Sequence, residues 1–557
     1  MQPAMIRASI DWFRALSSHL GALPARRVTW GLVSVFSAWV LLDVFVLKFT
    51  GGLAQSSFDT MVRARVHAAV ADPRIVIVDI DEASLARMGK EFGRWPWPRD
   101  TLATVLDYIE AQQPAAIAWD LIFSDADHLS PGGDAAFNEA VKRSAHSHFS
   151  VVRLPKANDA VSQITAAALP GFWAGPQAPL PLEPGAKAAT VALIAPAFPA
   201  VAAGRLGYNN GYVDQDGVLR RYRYAERLTD GSIIQSVPLS VLHAMKPAAA
   251  QTLLARAADH SGAPDELIAW RKHADAYPRI PFADVFARAD GGRPLAAVPD
   301  FAGKVVIIGA TAPSLHDIHP TPLSPMQAGV DSLATVLDNA LNQRHIGELP
   351  RWLQALLAIG LCVGLALWVQ FKSVASLAPA LLVLPAALLS ISYASLNGAP
   401  VFLDLYLAAG LALAFVAILR YWNMQRRNHW CSLPPSSPRA SAAWLWRRHD
   451  GAWMDDSLDR LIDAVALHAP ACRVVVCDAN ATWPAKLRWP ELACFAAVVG
   501  PTEALQSARP ALEQALRKLA SQSSELVTLG LQPDRAKLAT AIFMAWPIFQ
   551  KTDENGS

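Results

Sequence analysis

Four nearly uninterrupted apolar stretches, each long enough to cross a lipid hydrocarbon core, constrain this chain more than any other feature. A helix rises about 1.5 Å per residue, so roughly 20 apolar residues span a core of about 30 Å. The stretches run from Val28 to Phe49, Trp352 to Val369, Val374 to Leu396 and Val401 to Trp422. They predict transmembrane helices over 28–49, 350–370, 374–396 and 400–422. Gln370 to Ser373 and Asn397 to Pro400 are very short joints, so the last three helices are expected to run antiparallel and stack on one another. A mean hydropathy of +0.23 and a charged fraction of 17% agree with a chain that meets lipid.

Cations near the helix ends orient the spans. Arg7, Arg14, Arg26 and Arg27 precede the first, Lys372 lies in the joint after the second, and Arg420, Arg426 and Arg427 close the fourth. Residues 1–27 and the segment 430–557 are therefore expected on the cytoplasmic side, with 50–349 outside. Lys48, Arg344 and Arg351 fall on the other side, at edges where long side chains reach toward water. The first stretch is too long for a signal-peptide core and is read as an uncleaved helix. Asp43 within it is either paired near the outer headgroups or among the helices, or it couples signal to structure. The five cysteines, Cys362, Cys431, Cys472, Cys477 and Cys494, all avoid the outer segment, as suits an oxidising compartment. A net charge of +2 without a Lys/Arg-rich tract gives no reason to expect nucleic-acid binding.

The expected architecture is an α/β extracytoplasmic domain, four transmembrane α-helices and a small cytoplasmic α/β domain. In the outer segment, apolar runs at 75–78, 116–119, 149–152 and 304–308 read as strands covered on both faces. Helices are expected over 101–112 and 330–341, and residues 155–200 look like an irregular Pro/Ala-rich insertion. Beyond the linker at 432–438, strands are expected at 473–476, 495–499, 526–529 and 541–544, with helices at 456–468 and 510–521.

The outer segment resembles the second type of CHASE sensory domain, the cyclase- and histidine-kinase-associated extracellular sensors. The residues that carry this begin with Ile77 to Asp81 with Ser84-Leu85, Trp95 to Arg99, and Asp120 to Phe123. Gly211 to Asp214, Asp216 to Arg221, Gly303 to Gly309, Asp317, Thr321-Pro322 and Gly329-Val330 follow in order, and three helices come directly after. The resemblance implies an extracytoplasmic sensor joined to a variable inner output.

In open α/β sheets ligands gather beyond the carboxyl ends of strands. Asp79, Asp81 and Asp120 follow apolar runs directly, and Asp317 comes from the loop after Gly309, so they are expected to share an acidic pocket. The candidate ligand-binding residues are Asp79, Asp81, Ser84, Trp97, Arg99, Asp120 and Asp317. The aspartates either hold a hard cation or cationic ligand or cap helices and turns. Trp95, Trp97 and Arg99 either clamp a ligand or pin a loop. His316 and His319 leave a transition metal open. Asp214 to Gly217 resembles a calcium loop but lacks its later Glu, and reads as a β-turn.

The inner segment carries no Gly-Gly pair for a diguanylate cyclase turn, no kinase Gly-rich or His-Arg-Asp loop, and no Walker phosphate loop. The expectation is a non-enzymatic receptor that needs no cofactor, has an unknown extracytoplasmic ligand and a cytoplasmic protein partner, and sits in the bilayer of a cell inner membrane, with homo-oligomers allowed. An extracytoplasmic metal-dependent hydrolase using Asp79, Asp81 and Asp120, or a scaffold of an envelope complex, are the alternatives.

Overall fold

The computed structural model describes residues 23–47, 49, 51–128, 130–165, 168–173, 189–258, 265–431, 441–447, 455–476, 495–519 and 525–530. The expected strand at 541–544, the linker at 432–438, and Arg7, Arg14, Lys48, Cys477 and Cys494 lie outside them. The chain divides into two compact units: 51–349 with 391–404, and 1–50 with 350–390 and 405–557.

Helix α1 (Ala25–Leu42) ends in a π-helical turn over Asp43–Leu47. Asp43 opens that turn, is buried, and accepts the Phe49 N–H at 2.8 Å. An acid inside an apolar helix is costly unless satisfied, and here the chain's own backbone satisfies it.

The unit of 51–349 with 391–404 begins with α2 (Gly51–Ala64). Next come β1 (Ile75–Ile80), α3 (Glu82–Phe92), α4 (Arg99–Glu110), β2 (Ala116–Ile122), α5 (Pro131–Arg143) and β3 (Ser147–Arg153). β4 (Leu193–Ile194), β5 (Arg205–Tyr208), α6 (Val237–Met245), β6 (Arg279–Pro281), α7 (Phe282–Ala289) and β7 (Val305–Ala310) follow. The sheet order is β6-β1-β7-β2-β3, with β5 and β4 both on the free side of β3; β4 alone runs antiparallel. The predicted strands are thus the central ones. β1, β2 and β7 are mainly apolar because helices cover both faces, while β3 carries Ser147, His148 and Ser150 among its apolar residues. One face packs Val76, Val78, Ile80, Trp119, Val306 and Ile308 against α3, α4, α5 and α7. The other carries α6 and α8 (Gly329–Leu341), which lie against each other and the sheet.

A hairpin of β8 (Ile318–His319) and β9 (Gln327–Ala328) leads into α8. Thr321 holds its tip, donating to Gln327 Oε1 at 2.6 Å while its N–H reaches the Ser324 carbonyl. Residues 214–217 form the expected β-turn: the Gly217 N–H reaches the Asp214 carbonyl at 2.9 Å, and Gly217 has φ +81°. Strand β10 (Gly347–Glu348) pairs with β11 (Val401–Phe402).

Three further helices are α9 (Arg351–Phe371), α10 (Ala380–Gly398, after a 3-10 turn at Val374–Leu377) and α11 (Tyr406–Trp430). Four segments of this chain, 25–47, 351–371, 374–398 and 406–430, are long and apolar enough to cross a membrane. The fourth corrects the sequence expectation of a helix over 400–422. Its first residues are strand, paired with β10, and the helix starts later and continues eight residues past Trp422. The stacking is also wider than expected: α9 packs on α1 as well as on α11.

The last part of the chain has β12 (Ser441–Arg447), α12 (Asp455–His468), β13 (Arg473–Val476), β14 (Phe495–Pro501), α13 (Thr502–Leu519) and β15 (Glu525–Gly530). Its all-antiparallel sheet runs β13-β14-β12-β15, a split β-α-β arrangement of ferredoxin-like type. Trp430, the last residue of α11, is buried in its core with Leu461, Val465, Leu505 and Leu512. Arg426 donates to Asp463 at 2.6 Å and Arg427 to Asp459 at 3.0 Å, tying α11 to α12.

Candidate functional site

The parallel register sets Asp79 beside Gly309 and Trp119 beside Ile308, so Asp79 and Asp120 flank Gly309 at the carboxyl end of the sheet. Helix α8 lies close there. A Cβ on Gly309 would stand 2.8 Å from Val330 Cγ2 and 2.9 Å from Asp120 Cβ, so only glycine lets helix and strand approach this far. The strand ends nevertheless do not form one acidic pocket. They form two separate polar groups.

The first is internally satisfied. Asp79 accepts from the Thr311 N–H at 3.1 Å and Thr311 Oγ1 at 2.7 Å, and Arg279 Nη1 stands 3.9 Å away. Arg279 Nη2 reaches both oxygens of Asp331 at 2.7 Å. Burial raises both acids, Asp331 to about 6, against the pull of Thr311 on Asp79 and of Arg279 on Asp331. Asp81 is the N-cap of α3, accepting from the Ser84 N–H at 2.7 Å. Ser84 is fully buried and its Oγ accepts the Ala283 N–H at 3.2 Å, joining α3 to α7. Trp97, 1% exposed, packs on Phe282 and Trp95 in the core. Arg99 opens α4 with its guanidinium 5.7 Å from the Phe123 ring centre. Burial lowers its pKa, against the opposing pull of Asp134, Asp127 and Asp125.

The second group surrounds a cavity of about 50 Å³ at the start of α8. Asn209, Tyr222, Asp317, His319 and Ser332 supply its polar lining, and Leu219, Leu333 and Val336 its apolar wall. Asp120 stands behind Asn209, whose Nδ2 donates to its Oδ1, while its Oδ2 is sealed from solvent without a partner. Burial pushes the Asp120 carboxyl up to about 8, with the Asp317 charge adding to the rise. His319 Nε2 lies 3.4 Å from Asp317, which raises the imidazole pKa above its ordinary value. His316 is exposed at φ +58°, its Nδ1 3.1 Å from the Ser314 carbonyl. A Cβ on Gly329 would fall 2.3 Å from the Asp317 carboxylate, so glycine is what admits that side chain to the helix start. Among the described residues no three His, Cys, Asp or Glu are grouped to hold a metal ion.

Of the residues singled out in the sequence, Asp317 and His319 line this cavity and Asp120 backs it. Asn209, Tyr222 and Ser332 were not anticipated, since each comes from a different element and no local pattern marks it. Asp81-Glu82-Ala83-Ser84 did carry a readable capping signal.

The cavity wall continues into α2. Leu219 lines the cavity, and the next residue, Arg220, is 1% exposed. Arg220 Nε and Nη2 donate to Asp59 of α2 at 2.8 and 2.7 Å, and its remaining N–H groups reach Asp214 and Asp216. Arg63 of α2 donates to the Pro322 carbonyl in the β8–β9 hairpin at 3.0 Å. Directly after Arg63, at the end of α2, Tyr393 donates to the Ala64 carbonyl at 2.8 Å and Asn397 Oδ1 accepts the Val66 N–H at 3.0 Å.

The family model for the CHASE2 domain matches residues 33–369. No curated protein and no solved structure gives a match.

Proposed function

Because the chain belongs to the CHASE2 family of extracellular sensor domains, we propose that it is an inner-membrane receptor with residues 51–349 outside and both ends in the cytoplasm. A stimulus met outside is relayed through the four membrane helices to the domain beyond residue 430, which passes it on by binding a protein partner.

One observation carries this reading: every membrane helix leaves the outer unit within a few residues of a fixed point in it. α1 is followed by α2, which Arg220 and Arg63 grip. α9 starts three residues after β10, and α11 starts four residues after β11, the strand that β10 pairs with. The last turns of α10 group with the outer unit, where Tyr393 and Asn397 meet the end of α2. Only a few residues of chain therefore separate each of the four helices from an anchored element of residues 51–349 or 391–404. On the inner side, α11 runs unbroken into the core of the last domain through Trp430. Such a relay needs a stimulus with different affinity for two arrangements.

The hydrolase alternative loses its motive, because Asp79 is committed to Thr311 and Arg279, and Asp81 to a helix cap. The test combines topology with output. A compartment-sensitive reporter fused after residue 250 is expected to report the outer side, and one after residue 430 the inner side. Deleting 430–557 is expected to abolish signalling in the host. A reporter at residue 250 that behaves as cytosolic, or signalling that survives the deletion, overturns the proposal.

A further inference from the structure

The cavity at the start of α8 has a chemistry that the fold leaves unused. Ser332 and Tyr222 are 5% and 4% exposed and both line it; among the described residues the Ser332 hydroxyl has no hydrogen-bond partner, while the Tyr222 hydroxyl lies beside that of Ser236. Buried polar atoms are nearly always paired, and an unpartnered Ser332 Oγ on the wall of such a space points to an occupant that bonds to it. Asp317 adds a carboxylate to the same wall, and Asp120 lies just behind it. No lysine or arginine lines the space, and the one basic side chain there, His319, is already drawn to Asp317.

We propose that this cavity binds a small ammonium-type cation, ammonium itself or a short alkylammonium, and that its occupancy is the signal the outer unit reports. The ligand class rests on the receptor reading only for its meaning; the binding itself is a separate claim. An ammonium head offers several N–H donors, and the cavity offers the acceptors Asp317 carboxylate, Ser332 Oγ and Tyr222 Oη. Leu219, Leu333 and Val336 suit a methyl or ethyl group. One water needs roughly 10–15 Å³ of such space, so a cavity of about 50 Å³ takes a group of a few heavy atoms and excludes a nucleotide or sugar. A divalent metal fits less well. It takes six or more oxygen ligands with carboxylates prominent, and no three acidic, His or Cys side chains among the described residues are grouped for one.

The route out of the cavity is short. Drawing the wall in around a ligand moves Leu219 and the Asp317–His319 strand, and these lead directly to Arg220 and Pro322, the two grips on α2.

The test titrates the full-length protein in lipid nanodiscs with ammonium, methylammonium, sodium, potassium, magnesium and calcium chlorides at constant ionic strength, reading melting temperature and heat of binding. A saturable rise with ammonium or methylammonium, absent with sodium and potassium, is expected. Ser332→Ala, whose hydroxyl has no internal bond to lose, should fold normally and raise Kd by about tenfold or more, as loss of a hydrogen bond to a charge does. Asp317→Asn should weaken binding further. No saturable amine response in the unmodified protein, meaning a cavity that holds water only, overturns the proposal. So does an equal response to potassium, a response to calcium or magnesium alone, or an unchanged Kd in Ser332→Ala. The receptor reading is judged apart from these, by the reporter fusions and the truncation, which need no ligand.

Discussion

Replacing Arg220 by lysine should release α2 from the rest of its unit. All five guanidinium N–H groups of Arg220 are used: two on Asp59, one on Asp214 and two on Asp216, at 2.7 to 3.0 Å. Lysine has three donors on one nitrogen and cannot fork across a carboxylate while reaching two others. At least two charge-assisted bonds are lost at a site 1% exposed. A hydrogen bond to a charged group contributes about 1.5–3 kcal/mol, so losing two costs about 3–6 kcal/mol. If about 3 kcal/mol of that falls on the docking of α2, its amides should exchange with solvent about a hundredfold faster. Hydrogen exchange read by mass spectrometry on peptides from 51–64, with peptides from 305–310 as the internal standard, measures this directly. Arg221→Lys is the control, since Arg221 is 25% exposed and holds Asp214 and Glu348 at the rim; its cost should stay near about 1 kcal/mol. Equal protection of α2 in Arg220→Lys and the unmodified protein would refute the idea that this arginine anchors the helix.

Asp120→Asn tests the sealed carboxyl. The folded protein keeps that proton to about pH 8, whereas the unfolded chain releases it near pH 4, so the folded state binds the extra proton between them and stability falls as pH rises. The variant lacks this loss and should gain on the parent across the window, by at most about 1.4 kcal/mol per pH unit; a melting difference that is the same at both ends contradicts it. Gly329→Ala places a Cβ against the Asp317 carboxylate, which is 41% exposed and can turn aside, so it should cost no more than about 1 kcal/mol, largely recovered by adding Asp317→Ala. A double variant no more stable than Gly329→Ala rules out that clash. Trp430→Ala empties a site 3% exposed in the inner core and should destabilise that domain by about 3–5 kcal/mol. Limited proteolysis beyond residue 430 reads it, and unchanged cleavage counts against the packing.

Strands β1, β2, β3 and β7 were legible because they are central: covered on both faces, they carry short apolar runs, interrupted in β3 by Ser150. The edge strand β6 was not, since Arg279-Ile280-Pro281 is too short and polar to stand out. β12 escaped notice beside a Pro/Ser-rich linker, and β11 hid inside an apolar run that looked wholly helical. α13 starts eight residues before its predicted beginning at Pro510, which stands inside the helix. The site was partly legible. Strand-end acids pointed to the right edge of the sheet, but sequence order does not say which acids pair with a threonine, cap a helix or face a cavity. That is decided by partners such as Thr311, Arg279 and Asn209, which lie far away along the chain.

The unbroken helix from Tyr406 to Trp430 fixes a heading as well as a length of roughly 37 Å. Each added residue turns whatever follows by about 100°, and seven bring it back to within about 20°. Inserts of increasing size near Ile418 should therefore silence and restore the output in a cycle, where a slack tether would let it fade steadily.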